Sequence, residues 1–296
     1  MSVLLLDGAT GTELQRRGVP VRPPWWTSAA LRTGPGRAVL EAIHADYADA
    51  GSLVLTANTF RCNLRAARRA GLDRAGAAAL VRQAVRVARA ASHRPARRVL
   101  VAGSIAPVED CYRPDLVPDR VSLDAEHRWL ARELVAAGVD IILVETMNSV
   151  VEARAAVAAA RAAGCRTWVS FAVGPGARLL SGEPVAVAVR AAEQAGAEAV
   201  LVNCASLPET EASLRVLAET AGVPIGAYPN VEDRRGVAAA THVDRHLPAL
   251  IGPAGLAGTV RGWIDRFGIG LIGGCCGTTP AHLGALNAEA CFKKIW

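Results

Sequence analysis

Ile141-Ile142-Leu143-Val144-Glu145-Thr146 is an unbroken apolar run that ends in a carboxylate and a hydroxyl. A strand with one face in water alternates apolar and polar residues, whereas a continuous run is buried on both faces, as in a parallel sheet. Runs of this kind recur at 3–8, 53–59, 99–105, 139–145, 166–173, 198–204, 224–229 and 269–274. Between them lie stretches with helical spacing, at 36–50, 74–92, 122–137, 149–163, 184–195 and 208–221, bounded by Gly, Pro, Ser or Asp. Strands and helices in alternation predict an α/β fold, a (β/α)8 TIM barrel in which residues 1–296 form a single domain. The alternative is a doubly wound open sheet, which carries fewer strands and a G-x-G-x-x-G after the first. Here the first run ends in Asp7-Gly8-Ala9-Thr10-Gly11-Thr12-Glu13, and that motif is absent.

Hydrophobic residues make up 51% of the 296, ample for one large core. The net charge of +6 invites an acidic partner, but the arginines are scattered through alanine-rich segments such as 61–98. No dense basic run interleaved with aromatics occurs, so a nucleic-acid partner is not expected. No stretch reaches the roughly 18 apolar residues of a membrane span, so a membrane partner is not expected either. With no signal peptide in view, the expected location is cytoplasmic, where reducing conditions keep cysteines as thiols. Two connections are long. Residues 107–121 carry Pro107, Pro114 and Pro118 and predict a fixed excursion over the barrel mouth, and 231–268 leaves room for helices at 243–251 and 254–266.

Barrel enzymes place their chemistry at the C-terminal ends of the strands, and here those ends are polar. They deliver Asp7, Asn58-Thr59, Ser104, Glu145-Thr146, Asn203-Cys204, Tyr228-Pro229-Asn230 and Cys275-Cys276. Cys204, Cys275 and Cys276 form a metal-site layout: soft thiolates select zinc or iron–sulfur chemistry, and three protein ligands leave a fourth position open. Gly273, Gly274 and Gly277 relax the backbone so that neighbouring cysteines can share one ion. The plainer alternative is ordinary buried cysteine, adopted here for Cys62, Cys165 and Cys291. Three thiolates make a divalent zinc a poor activator of water but keep a bound substrate thiol nucleophilic, so alkyl transfer to sulfur is the expected reaction. Glu145 and Asp7 are expected to hold a cationic group such as an ammonium, although Asp7 could instead cap a helix at 11–16. His44, His127, His242, His246 and His282 have no ligating spacing to the cysteines and are expected to be solvated or supporting groups.

Taken in order, Asp7-Gly8-Ala9-Thr10-Gly11-Thr12-Glu13-Leu14, Thr56-Ala57-Asn58-Thr59-Phe60, Gly103-Ser104-Ile105, Glu145-Thr146, Asn203-Cys204, Tyr228-Pro229-Asn230 and Gly273-Gly274-Cys275-Cys276-Gly277-Thr278-Thr279-Pro280 resemble the homocysteine S-methyltransferase family. The likeness runs from residue 3 to about 285. It implies a Zn2+-dependent barrel that moves a methyl group to homocysteine, giving methionine, with Cys204, Cys275 and Cys276 as zinc ligands. Together with Glu145 these cysteines form the expected catalytic set. Glu145 matches the family acid that binds the substrate amino group and Asp7 the acid beside it. Asn58, Thr59, Ser104, Asn203, Tyr228 and Asn230 complete the expected substrate-binding set.

The chain departs from the sulfonium-using members, which carry Gly-Pro-Tyr-Gly after Gly-Ser-Ile, in having Ala106-Pro107-Val108-Glu109-Asp110-Cys111-Tyr112. In that segment Glu109, Asp110 or Tyr112 is expected to face a cationic donor. The length resembles the branch that uses S-methylmethionine or S-adenosylmethionine; betaine ranks lower, and the folate- and cobalamin-using relatives carry further domains. The partners are then a small-molecule thiol acceptor and a methyl donor, with the protein a monomer or small homo-oligomer. A different small thiol or a selenol such as selenohomocysteine is an alternative acceptor. A zinc-binding thiol sensor is the non-enzyme alternative, disfavoured by the polar strand ends, which a sensor does not need.

Overall fold

The computed structural model describes residues 3–235 and 245–289. The first half runs β1 (Leu4–Leu5), α1 (Thr10–Arg16), α2 (Gly34–Asp49), β2 (Val54–Ala57), α3 (Leu64–Arg69), α4 (Arg74–Ser92), β3 (Leu100–Ile105) and α5 (Arg120–Ala136). The second runs β4 (Ile141–Met147), α6 (Val150–Ala162), β5 (Thr167–Gly174), β6 (Arg178–Leu179), α7 (Val185–Gln194), β7 (Ala199–Asn203), α8 (Leu207–Thr220), β8 (Ile225–Tyr228), α9 (Pro253–Phe267), β9 (Leu271–Ile272) and α10 (Pro280–Glu289). Short 3-10 turns cover Thr27–Leu31 and Pro114–Leu116.

The strands follow the order β1-β9-β8-β7-β5-β4-β3-β2, with every neighbouring pair parallel and only β6 antiparallel, on the end of β5. A parallel bridge between Leu6 and Val54 joins the two ends of this path. There the Leu53 N–H donates to the Leu5 carbonyl at 2.8 Å, so eight strands close into the expected (β/α)8 barrel. Closure removes the sheet edges that a short strand such as β1 would otherwise expose.

Local chemistry agrees with these elements. Asn63, Asp73 and Asp119 accept hydrogen bonds from the first turns of α3, α4 and α5, and Ser206 forms a capping box with Glu209 on α8. Each expected strand overlaps an observed one, with β4 and β5 running past the expected ends to Met147 and Gly174, and six expected helices appear as α2 and α4 to α8. The helix expected at 254–266 is α9, but 245–251 is bent chain with Glu232 bridged to Ala249, and 243 and 244 lie outside the described residues. Pro248 supplies the reason, because it has no N–H and pushes the preceding residue toward extended backbone. The sequence reading missed α3 and α10; α3 has only 6 residues, too few for a clear period.

Two apolar layers build the core. Leu6, Val54, Ala102, Ile141, Leu143, Trp168, Ala199, Leu201 and Leu271 fill the barrel interior. A second, larger layer packs the outer faces of the strands against the helices. Alternation of side chains along a strand then dictates what stands above the interior layer. Two residues beyond Val54, Ala102, Leu143, Trp168 and Leu201 come Thr56, Ser104, Glu145, Ser170 and Asn203. The polar ends noticed in the sequence are therefore one layer of the interior, held at the C-terminal mouth by apolar layers beneath. None of the described helices is long and apolar enough to cross a membrane.

The barrel wall is tightest between β8 and β9, where a Cβ on Gly226 would meet the Leu271 Cβ at 2.7 Å and its carbonyl carbon at 2.9 Å. Backbone cannot yield as a side chain does. Gly226→Ala is expected to destabilise the fold by about 1–3 kcal/mol, and Gly103→Ala, which meets only side chains of Leu134 and Val139, by less. Urea unfolding midpoints of the two variants check the order.

Candidate functional site

Cys204 follows β7 directly, and Cys275-Cys276 follow β9, so their thiols rise at strand ends with only β8 between them. The three sulfurs lie within 4.8 Å of one another, and Cys204 Sγ is 2.8 Å from Cys275 Sγ. Cys204 sits at φ 52°, a left-handed conformation rarely adopted outside glycine. Such strain persists where the surroundings enforce it.

The turn that carries the cysteine pair is held from outside. The Gly273 N–H donates to the Ala227 carbonyl, Gly274 to Asp7 and Cys275 to Pro229, each at 3.0 Å. The Cys276 N–H donates to Asn230 Oδ1 at 3.1 Å, and Gly277 N–H to Thr12 Oγ1 at 3.2 Å. Gly277 has φ +83° and lies so close to Glu232 that a Cβ would meet its backbone nitrogen at 2.8 Å. Both adjacent thiols thereby point to one place.

Glu145 reaches the same mouth through an irregularity. The β4–β5 register shifts between Val144 and Met147, and Thr146 adopts φ 59°. The Asn203 side chain holds this bulge, accepting from the Thr146 N–H at 3.2 Å and donating to Thr146 Oγ1 at 2.8 Å. Ser104 Oγ donates to Glu145 Oε1 in a short hydrogen bond, and the Tyr228 hydroxyl donates to Oε2 at 3.3 Å. Loss of water raises the Glu145 carboxyl to about 7 against these bonds, with the Asp7 charge adding to the rise. Asp7 accepts from the Thr56 N–H at 2.7 Å and from Thr56 Oγ1 at 2.8 Å, and burial raises it too to about 7. It does not cap α1, whose N-cap position is Ala9 with no side-chain cap bond.

Hydrogen bonds from the other two sulfurs hold the Cys276 thiol well below its ordinary value. Cys204 and Cys275 are raised. A cavity of about 320 Å³ opens above these groups. Asp7, Asn58, Ser104, Glu145, Cys204, Tyr228, Cys275 and Cys276 all line it. Thr59, Asn203 and Asn230 do not: Thr59 Oγ1 donates to the Ser104 carbonyl at 2.8 Å, Asn203 holds Thr146, and Asn230 holds Cys276. Even Asn58, which reaches the cavity, donates its amide to the Thr27 carbonyl at 2.9 Å.

Several lining residues escaped the sequence reading, notably Trp26, Thr56, Arg61, Cys111 and Glu232. Thr56 was detectable, two residues beyond an interior Val; the others come from loops, which leave no period to read. In the divergent segment Asp110, Cys111 and Tyr112 line the cavity. Glu109 does not face a donor, because Arg65 and Arg69 take its carboxylate at 3.0 and 2.8 Å. Of the histidines expected to be solvated or supporting, His44, His127 and His282 are buried, His127 paired with Glu152 at 3.2 Å and His282 bonded to Thr279 beyond the cysteine turn, while His246 is half-buried. His44 has no partner on either ring nitrogen, and burial lowers it to about 4. Cys62 and Cys165 are buried as expected, while Cys291 and His242 lie outside the described residues.

Residues 4–290 match the sequence model of the homocysteine S-methyltransferase family. The homocysteine S-methyltransferase of Escherichia coli is 31% identical over 97% of this chain and 95% of that protein. The methionine synthase of Mycobacterium tuberculosis is also 31% identical, over 99% of this chain but only 25% of its own length. Among solved structures, the metallated form of the E. coli homocysteine methyltransferase MmuM superposes with a TM-score of 0.83 at 29% identity, covering 98% of this chain and 97% of that one.

Asp7 and Glu145 also set a pH dependence. In the unfolded chain they ionise near their ordinary values of 3.8 and 4.5, and in the fold at about 7. Between those limits the folded protein keeps protons that the unfolded chain has lost, so their contribution is complete below about 4 and disappears as pH rises through about 7. Metal-free protein is expected to lose urea resistance from about pH 4 to 7, with Asp7→Asn and Glu145→Gln each flattening the slope. Unfolding midpoints measured across that range decide it, and an unchanged slope in both variants counts against the raised values.

Proposed function

The chain belongs to the homocysteine S-methyltransferase family and methylates homocysteine; on that premise we propose a sulfonium donor, S-methylmethionine or S-adenosylmethionine, and a zinc ion held by Cys204, Cys275 and Cys276. The observation that carries the proposal is the convergence of three sulfurs within 4.8 Å on the cavity that two water-starved carboxyls also line. The donor set fits zinc, because soft thiolates suit it and three protein ligands leave a position for substrate. When bound, zinc supplies a soft Lewis acid that lets an entering thiol ionise at neutral pH while remaining nucleophilic.

The remaining work falls to the chain. Glu145, fixed by Ser104 and Tyr228, takes the homocysteine ammonium, and Asp7, fixed by Thr56, adds negative potential beside it. A cation arriving there favours the ionised carboxyl and offsets the burial that keeps it neutral in the empty site. Anchoring the amino-acid end sets the acceptor sulfur for in-line approach to the donor methyl. One S–CH3 bond forms as the other breaks, and the sulfonium leaves as a neutral thioether, so no general acid is required. Tyr112 and Asp110 line the cavity on the side of the loop after β3, offering an aromatic face and a carboxylate to the positive sulfur. Residues 1–296 act in this proposal as one homocysteine-binding barrel, monomeric or a small homo-oligomer, in the reducing cytoplasm.

Protein purified under reducing conditions is expected to hold about one zinc per chain, and Cys204→Ser, Cys275→Ser and Cys276→Ser each to lose most of the metal and the activity. Full zinc in all three variants removes the site. Methionine formation from S-methylmethionine, S-adenosylmethionine, betaine and methyl-folate, each offered with homocysteine, tests the donor; turnover confined to the last two overturns the sulfonium choice.

Glu145→Gln is expected to weaken homocysteine binding by about 1.5–3 kcal/mol, the scale of a charge-assisted hydrogen bond, with zinc content unchanged. An unaltered KM for homocysteine reassigns Glu145 to packing.

A further inference from the structure

Arg61 follows β2 and presents its guanidinium to the cavity. It lies 5.2 Å from the centroid of the Phe60 ring and 5.6 Å from that of Trp26, both of which also line the cavity. Trp26 is itself held at φ 51°. Nη1 donates to the Glu109 carbonyl at 2.7 Å, which leaves Nε and Nη2 without an acceptor among the described residues. The neighbouring Arg65 and Arg69 are paired with the carboxylates of Glu109 and Glu126, whereas no described acid pairs with Arg61. A half-buried guanidinium stacked near two rings has given up water without gaining an anion. Its fork of parallel N–H groups matches a carboxylate.

The cavity already has a place for the acceptor's charged end, at Asp7 and Glu145. Arg61 is elsewhere: it is tied to the Glu109 carbonyl of the loop after β3 and its charge acts on the Cys111 thiol of that same loop, whereas Asp7 is held by Thr56 and Glu145 by Ser104 and Tyr228. It therefore belongs to the side formed by the divergent loop. A sulfonium of the methionine type carries a carboxylate at the far end of a butanoate-length chain, so its positive sulfur can reach the thiols while its negative end stays at the rim.

We propose that Arg61 reads the carboxylate of the methyl donor, so that the donor class is an amino-acid sulfonium with a free carboxylate; this rests on the sulfonium reading above. Trp26 and Phe60 fix the guanidinium plane, and the Glu109 carbonyl fixes its tilt. The charge distribution places the ammonium-binding acids and the carboxylate-binding arginine on different parts of the wall, one for each substrate.

The test compares S-methylmethionine with trimethylsulfonium, which has the same reactive group and no carboxylate, using zinc-loaded wild type, Arg61→Gln and Arg61→Lys. Arg61→Gln is expected to raise KM for S-methylmethionine by about tenfold or more and to weaken its calorimetric binding equally, with Arg61→Lys recovering part of the loss. The KM values for trimethylsulfonium and for homocysteine stay within about twofold of wild type, because neither substrate uses a guanidinium bond. Equal losses for both donors mean that Arg61 merely anchors Glu109, and a loss confined to homocysteine means that it reads the acceptor; either overturns the assignment. Wild-type turnover of S-methylmethionine with an unaffected Arg61→Gln variant overturns it while leaving the sulfonium reading intact. Turnover of neither sulfonium by the wild type removes that reading, and this one with it.

Discussion

Two cysteines adjacent in the chain can face one point only if the peptide between them is bent back and held there. In this barrel the restraint is distributed over other strands: Asp7 after β1, Ala227 within β8, and Pro229 and Asn230 beyond it each accept a hydrogen bond from the 273–276 backbone. Tyr47 on α2 adds a brace, donating to the Ala9 and Thr278 carbonyls at 3.1 and 3.2 Å. The sulfur cluster thus depends on tertiary pairing within the closed barrel, since β1 and β8 flank β9 and hold the turn that follows it.

The same closure governs the electrostatics. Water excluded from the interior by Leu6, Leu143, Trp168 and Leu201 is also denied to Asp7 and Glu145, and desolvation is the first cause of both raised values. Thr56, Ser104 and Tyr228 oppose it with hydrogen bonds that favour the carboxylates. The acids are left poised near neutrality, where an arriving cation decides their charge. A solvated pair in an open groove would be ionised throughout and would discriminate less.

In the proposed reading, the loop after β3 lets the barrel vary the donor side without disturbing the acceptor side. Its base is tied to the scaffold: the Val108 N–H donates to buried Glu152 at 2.8 Å, Asn63 donates to the Val108 carbonyl at 3.2 Å, and Asn148 to the Cys111 carbonyl at 3.1 Å. Glu109, expected from the sequence to face a donor, is consumed in pairing with Arg65 and Arg69. That pairing leaves Asp110, Cys111 and Tyr112 as the residues of the loop that line the cavity, and the Arg61 guanidinium without an acid among the described residues. In the proposed reading the acceptor side rests on Asp7, Ser104, Glu145 and Tyr228 at the ends of β1, β3, β4 and β8, which the loop does not carry.

What the sequence determined by itself was whatever depends on local pattern. Continuous apolar runs placed eight buried strands, glycines marked the cysteine turn, and polar residues at the run ends located the mouth. Glu145, Ser104, Tyr228 and the three cysteines were legible because each terminates such a run. The tertiary structure alone decided which strand-end groups face the cavity and which are spent on support. Thr59, Asn203 and Asn230 read the same as Ser104 or Tyr228 in one dimension, yet each gives its hydrogen bonds to the scaffold. Trp26, Arg61, Cys111 and Glu232 come from loops, whose positions follow from contacts distant in sequence and leave no period behind. The bulge at Thr146 belongs with them, because a register shift is a relation between two strands and does not exist until both are in place.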